Sequence, residues 1–301
     1  MRDIADRMRD TLISIFQNAY KLSHKCIKKL MPNYSFSNIA AIRLIISKLM
    51  SLRANKIRTK LNITLYLDKS DSLGLTFNKQ YESLETLFVQ DIVKRSMTII
   101  DVGANIGYYT TIFSKISQNG TVYAFEPDAI NFSLLQRNCH TNKLNNVKLY
   151  NLACGNLNKT ESLFISKDNK GDHRTYKIDG EERESNQVRM IRLDDFLPNI
   201  PKLDFVKIDI QGYEFEVIRG MIDLITKHKP VILLEFWPAG LKANNENPDV
   251  FLEYLYGLNY DLHLLSSIDD NFKLEKVDIV DRSSISDTRK NDFNIVLTSR
   301  S

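Results

Sequence analysis

Residues 98–113, TIIDVGANIGYYTTIF, combine an acid with small residues that could surround a ligand. Asp101 closes an apolar stretch, and Gly103, Asn105 and Gly107 follow at two-residue steps. Small residues permit tight turns and let the backbone approach a ligand closely. A helix is predicted to begin near Tyr108, which would aim its free N–H groups and its dipole at that ligand. The pattern indicates a binding turn between a strand and a helix.

The acid in front of the glycines narrows the choice of ligand. A nicotinamide cofactor would be bound by a G-x-G-x-x-G turn with its pyrophosphate against the backbone. Here the order is acid first and then G-x-N-x-G. The negative charge of Asp101 would repel a phosphate and attract a cation. S-Adenosylmethionine carries an ammonium and a sulfonium group and no phosphate, so it is the predicted cofactor.

A second acid agrees with this choice. Glu126 ends the next apolar stretch, 25 residues after Asp101, and Pro127 follows it in AFEP. A carboxylate at this place can accept hydrogen bonds from both hydroxyls of an adenosine ribose. The alternative is that the two acids only cap helices at strand ends. Their place at the ends of consecutive strands, with the glycine turn between them, favours a cofactor site that includes Pro127.

Three charged residues near position 210 are candidates for the acceptor end of the site. Lys207 and Asp209 end the stretch DFVKID, where residues two apart share a face of a strand. Asp209 is the candidate general base, and Lys207 is a candidate for orienting the acceptor or lowering its pKa. The alternative is an internal ion pair. Glu214 is either a further polar wall group that contacts substrate or a first-turn acid favoured by the helix dipole.

The polar segment near position 173 and the lone tryptophan supply further candidates. His173 and Arg174 occur in GDHR, and an imidazole can act as a general base near neutral pH. Trp237 ends the stretch VILLEFW and could serve as an aromatic platform for a sugar, although core packing is the simpler explanation. We expect His173 in catalysis and Arg174 and Trp237 in substrate binding.

Apolar stretches that alternate with amphipathic ones must position these residues. Such alternation predicts a doubly wound, mostly parallel, Rossmann-like α/β sheet covered by helices on both faces. The predicted strands are 63–68, 98–102, 121–126, 147–152, 204–209, 231–236, 260–265 and 293–298, and the predicted helices are 82–95, 108–117, 128–142, 213–227 and 248–257. Residues 155–190 are too long for an ordinary connection, so they are either a functional loop or a small hairpin.

Residues 1–60 differ from the rest of the chain in charge and pattern. They hold thirteen Lys or Arg and three Asp, a net charge of +10, whereas the whole chain carries +4. Apolar residues at three- and four-residue steps predict helices here, the second over 38–52. We therefore divide the chain into a basic helical N-terminal extension, 1–60, and a main domain, 61–301. The extension could pack on the main domain, lie on a membrane surface as a peripheral contact, or touch nucleic acid.

Cysteine usage and hydropathy point to a cytoplasmic protein. Cys26, Cys139 and Cys154 are odd in number and show no metal-ligand spacing, so neither a disulfide framework nor a metal site is predicted. Charges interrupt the first 30 residues before any apolar run is long enough for a signal peptide. The most apolar stretch, 39–50, contains Arg43 and Lys48 and is too short to span a bilayer.

Several short strings taken together resemble a known family. DVGANIGYYT, AFEPD, NLACGN, GDHR, RLDDFL and KIDIQGYEFEVIRG occur in this order. Over about residues 80–298 the chain resembles the FkbM-type family of S-adenosylmethionine-dependent methyltransferases. The resemblance implies that the backbone near Ala153 borders the adenine pocket. It also implies an acceptor hydroxyl, since family members of known function mostly methylate sugars and polyketide-like natural products.

The prediction is therefore an O-methyltransferase that uses S-adenosylmethionine and acts on a hydroxyl of a carbohydrate, a glycolipid or a related metabolite. One alternative is an RNA methyltransferase guided by the basic extension, which the acidic balance of residues 61–301 disfavours. The other is a binding protein that keeps the cofactor fold without catalysis. Asp101, Gly103, Gly107, Glu126 and Asp209 argue against that alternative. The acceptor and the oligomeric state are left open.

Overall fold

The computed structural model describes residues 56–166, 169–178, 180–269, 271–277 and 293–300. Residues 1–55 lie outside these ranges, and so do the two helices predicted there. Residues 56–58, assigned from sequence to the helical extension, form strand β1 (Lys56–Arg58) instead. It pairs antiparallel with β2 (Thr64–Tyr66), so a hairpin crosses the predicted boundary at residue 60. Within the described ranges, no helix has the length and apolar character needed to cross a membrane.

Two further sheets follow this hairpin. Their strands are β3 (Ile99–Val102), β4 (Val122–Phe125), β5 (Val147–Tyr150), β6 (Ala153–Cys154), β7 (Lys159–Ile165), β8 (Glu184–Ile191), β9 (Phe205–Ile208), β10 (Val231–Phe236), β11 (Tyr260–Ile268), β12 (Asn271–Lys276) and β13 (Phe293–Ser299). The larger sheet has the order β12–β11–β13–β10–β9–β3–β4–β5, and the smaller has the order β6–β8–β7. The neighbours from β10 to β5 are parallel, while β13 and β12 run antiparallel to their neighbours.

Helices cover both faces of the larger sheet. They are α1 (Leu75–Asn78), α2 (Ser83–Ile92), α3 (Tyr108–Ile116), α4 (Ala129–Thr141), α5 (Leu193–Phe196), α6 (Glu214–Arg219), α7 (Ile222–His228), α8 (Pro238–Ala243) and α9 (Pro248–Gly257). On one face Phe88 of α2 and Phe113 of α3 pack against Phe205. On the other face Phe215 of α6 and Phe251 of α9 join the second apolar cluster. The predicted doubly wound α/β fold is thereby confirmed.

The structure differs from the predicted elements in several places. Strands β6 and β12 and helices α1, α5 and α8 were not predicted. Residues 155–190 contain both alternatives, the antiparallel pair β7–β8 and a connection between its strands, of which residues 169–175 line the cavity. The helix predicted over 213–227 is divided into α6 and α7 at Gly220. A Cβ atom on Gly220 would lie 1.9 Å from the carbonyl oxygen of Gly155. The close approach of β6 to this point therefore requires glycine and interrupts the helix.

The topology places a crevice at the carboxyl ends of β3 and β9. The chain runs from β3 outward to β4 and β5, then returns to form β9 on the other side of β3. In doubly wound sheets, ligands bind where the strand order reverses in this way. Asp101 of β3 is the register partner of Lys207 of β9. The pairing brings together two candidate site residues that lie more than a hundred positions apart in the chain.

Candidate active site

A cavity of about 450 Å³ opens at this crevice. Most of the residues predicted for the site line it: Asp101, Gly103, Asn105, Glu126, Pro127, Ala153, His173, Arg174, Lys207, Asp209 and Trp237. Two predicted residues, Gly107 and Glu214, do not. The segments that line the cavity form two groups. We call the part formed by residues 101–105, 126–127 and 152–154 the cofactor half, and the part around Lys207 the acceptor half.

The turn after β3 is shaped by close backbone contacts. Gly103 has φ 82°, and a Cβ atom there would lie 2.0 Å from the carbonyl oxygen of Asp209. Only glycine fits between the two strands at this point. Gly107 has φ 89° and precedes α3, where a Cβ atom would meet the Leu135 side chain at 2.6 Å. Gly107 thus lies outside the cavity wall and lets α3 begin close to Leu135.

Asp101 is a buried carboxylate whose side-chain hydrogen bond comes from a neutral donor. The hydroxyl of Thr110, one turn into α3, donates a hydrogen bond to it at 2.5 Å. Burial raises the pKa of Asp101 to about 6, while the Lys207 ammonium and the Thr110 hydroxyl act in the opposite direction. A buried acid held this way favours a cationic ligand, because a positive charge would stabilise its ionised form.

Glu126 is held by backbone groups on both carboxylate oxygens. The N–H of Asn105 donates to Oε2 at 2.8 Å, and the N–H of Asp128 donates to Oε1 at 2.9 Å. Asp128 itself caps α4 by accepting from the N–H groups of Ile130 and Asn131. Burial raises the pKa of Glu126 to about 8, against the effect of the two N–H donors. The carboxylate keeps lone pairs for further hydroxyl donors.

Four polar side-chain atoms in the cavity wall lack a partner among the described residues. They are Oδ1 of Asn105, Oδ1 of Asn131, Nε2 of His173 and Oγ1 of Thr175, each buried from solvent. Leaving a buried polar atom unpaired costs about 1–3 kcal/mol. A polar ligand that fills the cavity would pair such atoms. Together with the two anchored carboxylates, they fit a ligand that has ribose hydroxyls, a heterocyclic base and a positive charge.

Lys207 and Asp209 form an internal ion pair, which was the alternative left open by their spacing in the sequence. Lys207 is 3% exposed, and its Nζ lies 2.7 Å from Oδ2 of Asp209. Burial would lower the pKa of Lys207, but the carboxylates of Asp209, Glu82 and Asp101 outweigh it, so the pKa is raised. The ammonium also lies over the ring of Tyr109, 4.7 Å from its centroid. Lys207 is therefore a permanent cation that joins both halves of the cavity.

Glu82 belongs to this cluster and was not predicted from the sequence. It lines the cavity, and the hydroxyl of Tyr109 donates to its Oε2 at 2.9 Å. Tyr81, its neighbour, also lines the cavity. No motif surrounds this Tyr-Glu pair, and an acid before a helix suggests only a cap. Its role becomes visible only through the packing of α2 against α3.

His173 faces the cavity as a hydrogen-bond donor. Its Nδ1 accepts the N–H of Ser166 at 3.0 Å. Burial lowers the pKa of His173, with Lys170 and Arg183 adding to that effect and Asp128 and Asp172 opposing it. The neutral ring consequently carries its proton on Nε2, the atom without a protein partner. A base role would require Nδ1 to give up its present hydrogen bond.

Arg174 and Trp237 contact each other. The guanidinium of Arg174 pairs with Asp172 at 2.7 Å and with Glu181 at 3.4 Å, and it lies over the Trp237 ring at 4.8 Å from the centroid. Gly240 also packs against the ring, since a Cβ atom there would lie 2.0 Å from Cε3 of Trp237. Arg174 and Gly240 thus fix the position of the indole, which lines the cavity.

Glu214 lies beneath the acceptor half rather than in its wall. Its Oε1 accepts the N–H of Gly212 at 2.9 Å and that of Ile210 at 3.4 Å. Gln211 has φ 60°, and its side-chain amide donates to Oε2 of Glu235 at 2.8 Å. Glu214 therefore holds the turn that presents Gln211 to the cavity. Within the described ranges, no three His, Cys, Asp or Glu side chains are grouped to hold a metal ion.

Comparison with known proteins identifies a family. The model of the methyltransferase FkbM domain matches residues 101–262, more than half of the chain. "Methyltransferase 1" of Beauveria bassiana is 28% identical over 145 residues, which cover 42% of this chain and 58% of that protein. Hexuronic acid methyltransferase AglP of Haloferax volcanii is 29% identical over 138 residues, covering 44% of this chain and 53% of that protein. The chain thus spans little more than half the length of these two relatives.

A solved structure is similar in fold. The FkbM methyltransferase from Methylobacillus flagellatus shares 15% identity, with a TM-score of 0.41, over 75% of this chain and 52% of that one.

Proposed function

We propose that this chain, which belongs to the FkbM methyltransferase family, transfers a methyl group to a hydroxyl of a carbohydrate, a glycolipid or a related metabolite. Its cofactor is S-adenosylmethionine. The cofactor supplies a methyl group activated by the positively charged sulfur to which it is bound. The protein must bind it, exclude water, place an acceptor atom in line with that methyl group and provide for the acceptor's proton.

The cofactor half supports the binding step. In the proposal, Glu126 accepts the ribose hydroxyls, and Asp101 lies toward the positive end of the cofactor. The turn at Gly103 and Asn105 lies along it, while Pro127 and Ala153 border the adenosine. The support is chemical, since Glu126 is anchored by N–H donors and has lone pairs left. A phosphate-bearing ligand would instead meet two buried carboxylates.

The Lys207–Asp209 pair carries the proposal of an oxygen acceptor. A hydroxyl must lose its proton as the new bond forms, so a carboxylate close to the methyl-transfer point is needed. Asp209 lines the cavity beside Lys207, whose register partner is Asp101. In the proposal Asp209 accepts a hydrogen bond from the acceptor hydroxyl, and Lys207 fixes the carboxylate. Asp209 as the base stays a prediction from the sequence.

A polar acceptor fits the rest of this half. His173 offers an Nε2–H donor, and Gln211 and Glu235 line the same cavity with further polar atoms. Trp237 adds an apolar ring to the cavity wall, against which the C–H groups of a sugar can pack. In the proposal Arg174 contributes by holding Trp237 in place. The hexuronic acid methyltransferase among the relatives supports a sugar acceptor.

An Asp209→Asn variant tests this proposal. Calorimetry should give a dissociation constant for S-adenosylmethionine within about threefold of wild type. Transfer of labelled methyl groups should fall about 100-fold or more, because the carboxylate that Lys207 fixes against the acceptor hydroxyl is lost and the hydroxyl is no longer held in line. The acceptors are methyl glycosides of glucose, mannose, glucosamine and glucuronic acid, followed by glycan and lipid fractions.

The matched control is Asp91→Asn, which removes an exposed acid of α2. It should change neither quantity. Wild-type turnover in Asp209→Asn would remove Asp209 from the reaction. Label on nitrogen or carbon atoms alone, in the wild-type product, would contradict O-methyl transfer.

A further inference from the structure

Glu82 has an arrangement that helix capping does not explain. It precedes α2 at the N-cap position with φ 40° and ψ 72°, a left-handed conformation uncommon for residues with a side chain. An acid at this position ordinarily accepts hydrogen bonds from N–H groups of the first turn, yet the Glu82 side chain makes no cap bond. Backbone strain of this kind clusters at functional sites. The carboxylate is directed away from its own helix.

The Glu82 carboxylate instead lies in the wall of the cavity, close to Tyr109 and Lys207. The hydroxyl of Tyr109 donates to Oε2 of Glu82 at 2.9 Å, and Glu82 itself lines the cavity. The ring of the same tyrosine carries the Lys207 ammonium at 4.7 Å from its centroid. Glu82 and Asp209 therefore lie near one lysine, on separate elements, and both line the cavity.

The two carboxylates differ in what holds them. One oxygen of Asp209 is bound by a full positive charge, Lys207 Nζ at 2.7 Å. Glu82 is held by a neutral phenol. The short ion pair fixes the position of the Asp209 carboxylate beside Lys207. Burial raises the pKa of Glu82, whose Oε2 is held by an uncharged donor, so this carboxylate can take up a proton. The geometry thus separates a positioning group from a proton acceptor.

Resting on the O-methyl transfer proposed above, we propose that Glu82 removes the proton of the acceptor hydroxyl while Asp209 positions that hydroxyl. The hydroxyl proton passes to the Glu82 carboxylate. The acceptor oxygen forms the new bond to the methyl carbon, and the electron pair of the broken carbon–sulfur bond stays on sulfur, which becomes neutral. One proton on Glu82 balances the loss of the sulfonium charge, and it leaves to solvent before the next turnover.

The surroundings of Glu82 allow this role near neutral pH. Burial raises its pKa to about 7, with Asp209 and Glu85 adding to the effect and Lys207 opposing it. The titratable and charged groups that face it are Tyr81, Glu85, Tyr108, Tyr109, Lys207 and Asp209. Above its pKa the carboxylate is ionised and can accept a proton, so the rate should rise as the pH passes through about 7.

A Glu82→Gln variant tests the proposal in the full chain, with the methyl glycosides and glycan fractions used above as acceptors. Gln keeps an oxygen that can accept from Tyr109, so the local structure is preserved while the base is lost. We expect kcat to fall about 100-fold or more. The dissociation constant for S-adenosylmethionine should stay within about threefold, and the rise of rate near pH 7 should disappear.

The matched control is Glu85→Gln. Glu85 lies on the same helix and bonds to the side-chain amide of Asn294 at 2.8 Å, outside the cavity wall. Its loss removes one nearby charge and should leave kcat within about threefold. A Glu82→Gln variant with wild-type kcat, or with an intact rise near pH 7, would overturn the proposal, and so would one that no longer binds cofactor.

Tyr109→Phe supplies a readout that a structural role alone would not change. It removes the donor but leaves the Glu82 carboxylate, so the ionised form is less stable and the rise of rate should move to higher pH. An unmoved profile would contradict the proposal. A wild-type chain that binds S-adenosylmethionine yet methylates no hydroxyl would instead contradict the proposed function, which keeps the two failures distinct.

Discussion

The two halves of the cavity hold their carboxylates in different ways. In the cofactor half, the buried Glu126 accepts hydrogen bonds from two backbone N–H groups, and the buried Asp101 accepts one from the hydroxyl of Thr110. In the acceptor half, the half-buried Asp209 pairs with the ammonium of Lys207, and the half-buried Asp172 pairs with the guanidinium of Arg174. The cofactor half uses neutral donors, whereas the acceptor half uses full opposite charges for these two acids and a neutral phenol for Glu82.

This difference separates carboxylates whose ionised forms a ligand would stabilise from carboxylates that are already paired with a cation. Burial raises the pKa of Glu126 to about 8 and that of Asp101 to about 6, in the second case against the effect of the Lys207 ammonium. Hydroxyl donors or a cation from a ligand would stabilise their ionised forms, so binding and ionisation are linked. Ion pairs already satisfy their charges, and their contribution is a fixed geometry. We therefore expect affinity for cofactor to depend on the first half and turnover on the second.

The largest effect is expected from Glu126→Gln. The substitution keeps the shape of the side chain but replaces one acceptor oxygen by a donor, which conflicts with the N–H group of Asn105 or of Asp128 and with ribose hydroxyls. The dissociation constant for S-adenosylmethionine should rise about 100-fold by calorimetry. The control Glu161→Gln, on β7 and outside the cavity wall, should leave it unchanged. Equal dissociation constants for S-adenosylmethionine in Glu126→Gln and in the wild type would contradict the distinction between the halves.

The cofactor half is also the part that the sequence predicts well. Asp101, Gly103, Asn105 and Glu126 fall within two short strings, each a strand end followed by a turn, so local spacing already defines their geometry. Their predicted strands lie within a residue or two of β3 and β4. Seven strands of the eight-stranded sheet were predicted for the same reason, because its inner strands are mainly apolar. Strand β12 was not predicted, and the strand predicted over 63–68 pairs in the separate hairpin.

The acceptor half resists such prediction because four separate segments meet there. Glu82 comes from the start of α2, His173 from the polar segment, Asp209 from β9 and Trp237 from the end of β10. No local string records that Tyr109 bridges Glu82 and Lys207. Glu214 lies in the first turn of α6, as one of the two alternatives from the sequence had it, and not in the cavity wall. Only the fold shows that its carboxylate turns under the 210–212 backbone.

A smaller effect is expected from proton release on cofactor binding. The dissociation constant for S-adenosylmethionine should change by at most about tenfold per pH unit. The pKa of Glu126 is raised to about 8 in the free protein. Hydroxyl donors of the cofactor would lower it, so binding expels a proton below that pH and affinity should increase as the pH rises toward about 8. Calorimetry at pH 7 in Tris and in phosphate should give different apparent enthalpies, since Tris takes up protons with a larger heat.

The stability of the free protein should change with pH in the direction opposite to that of the cofactor affinity. A folded-state pKa above the ordinary value of 4.5 means that the folded protein holds the proton more tightly. The free protein should lose stability as the pH rises from about 4.5 to about 8, and Glu126→Gln should lose less. Identical enthalpies in both buffers would show that Glu126 is already ionised before binding. The cofactor half would then resemble the acceptor half.

The smallest effect on cofactor affinity is expected from Trp237→Phe. The indole contacts the Arg174 guanidinium and Gly240, and Arg174 keeps its bonds to Asp172 and Glu181 when the ring is smaller. A phenyl ring retains part of the packing, so unfolding free energy should fall by about 1–2 kcal/mol. The dissociation constant for S-adenosylmethionine should stay within about threefold, because no charge of the cofactor half changes. A tenfold loss of affinity would instead mean that the polar segment around Arg174 forms part of the cofactor seat, and the boundary between the halves would have to move to include it.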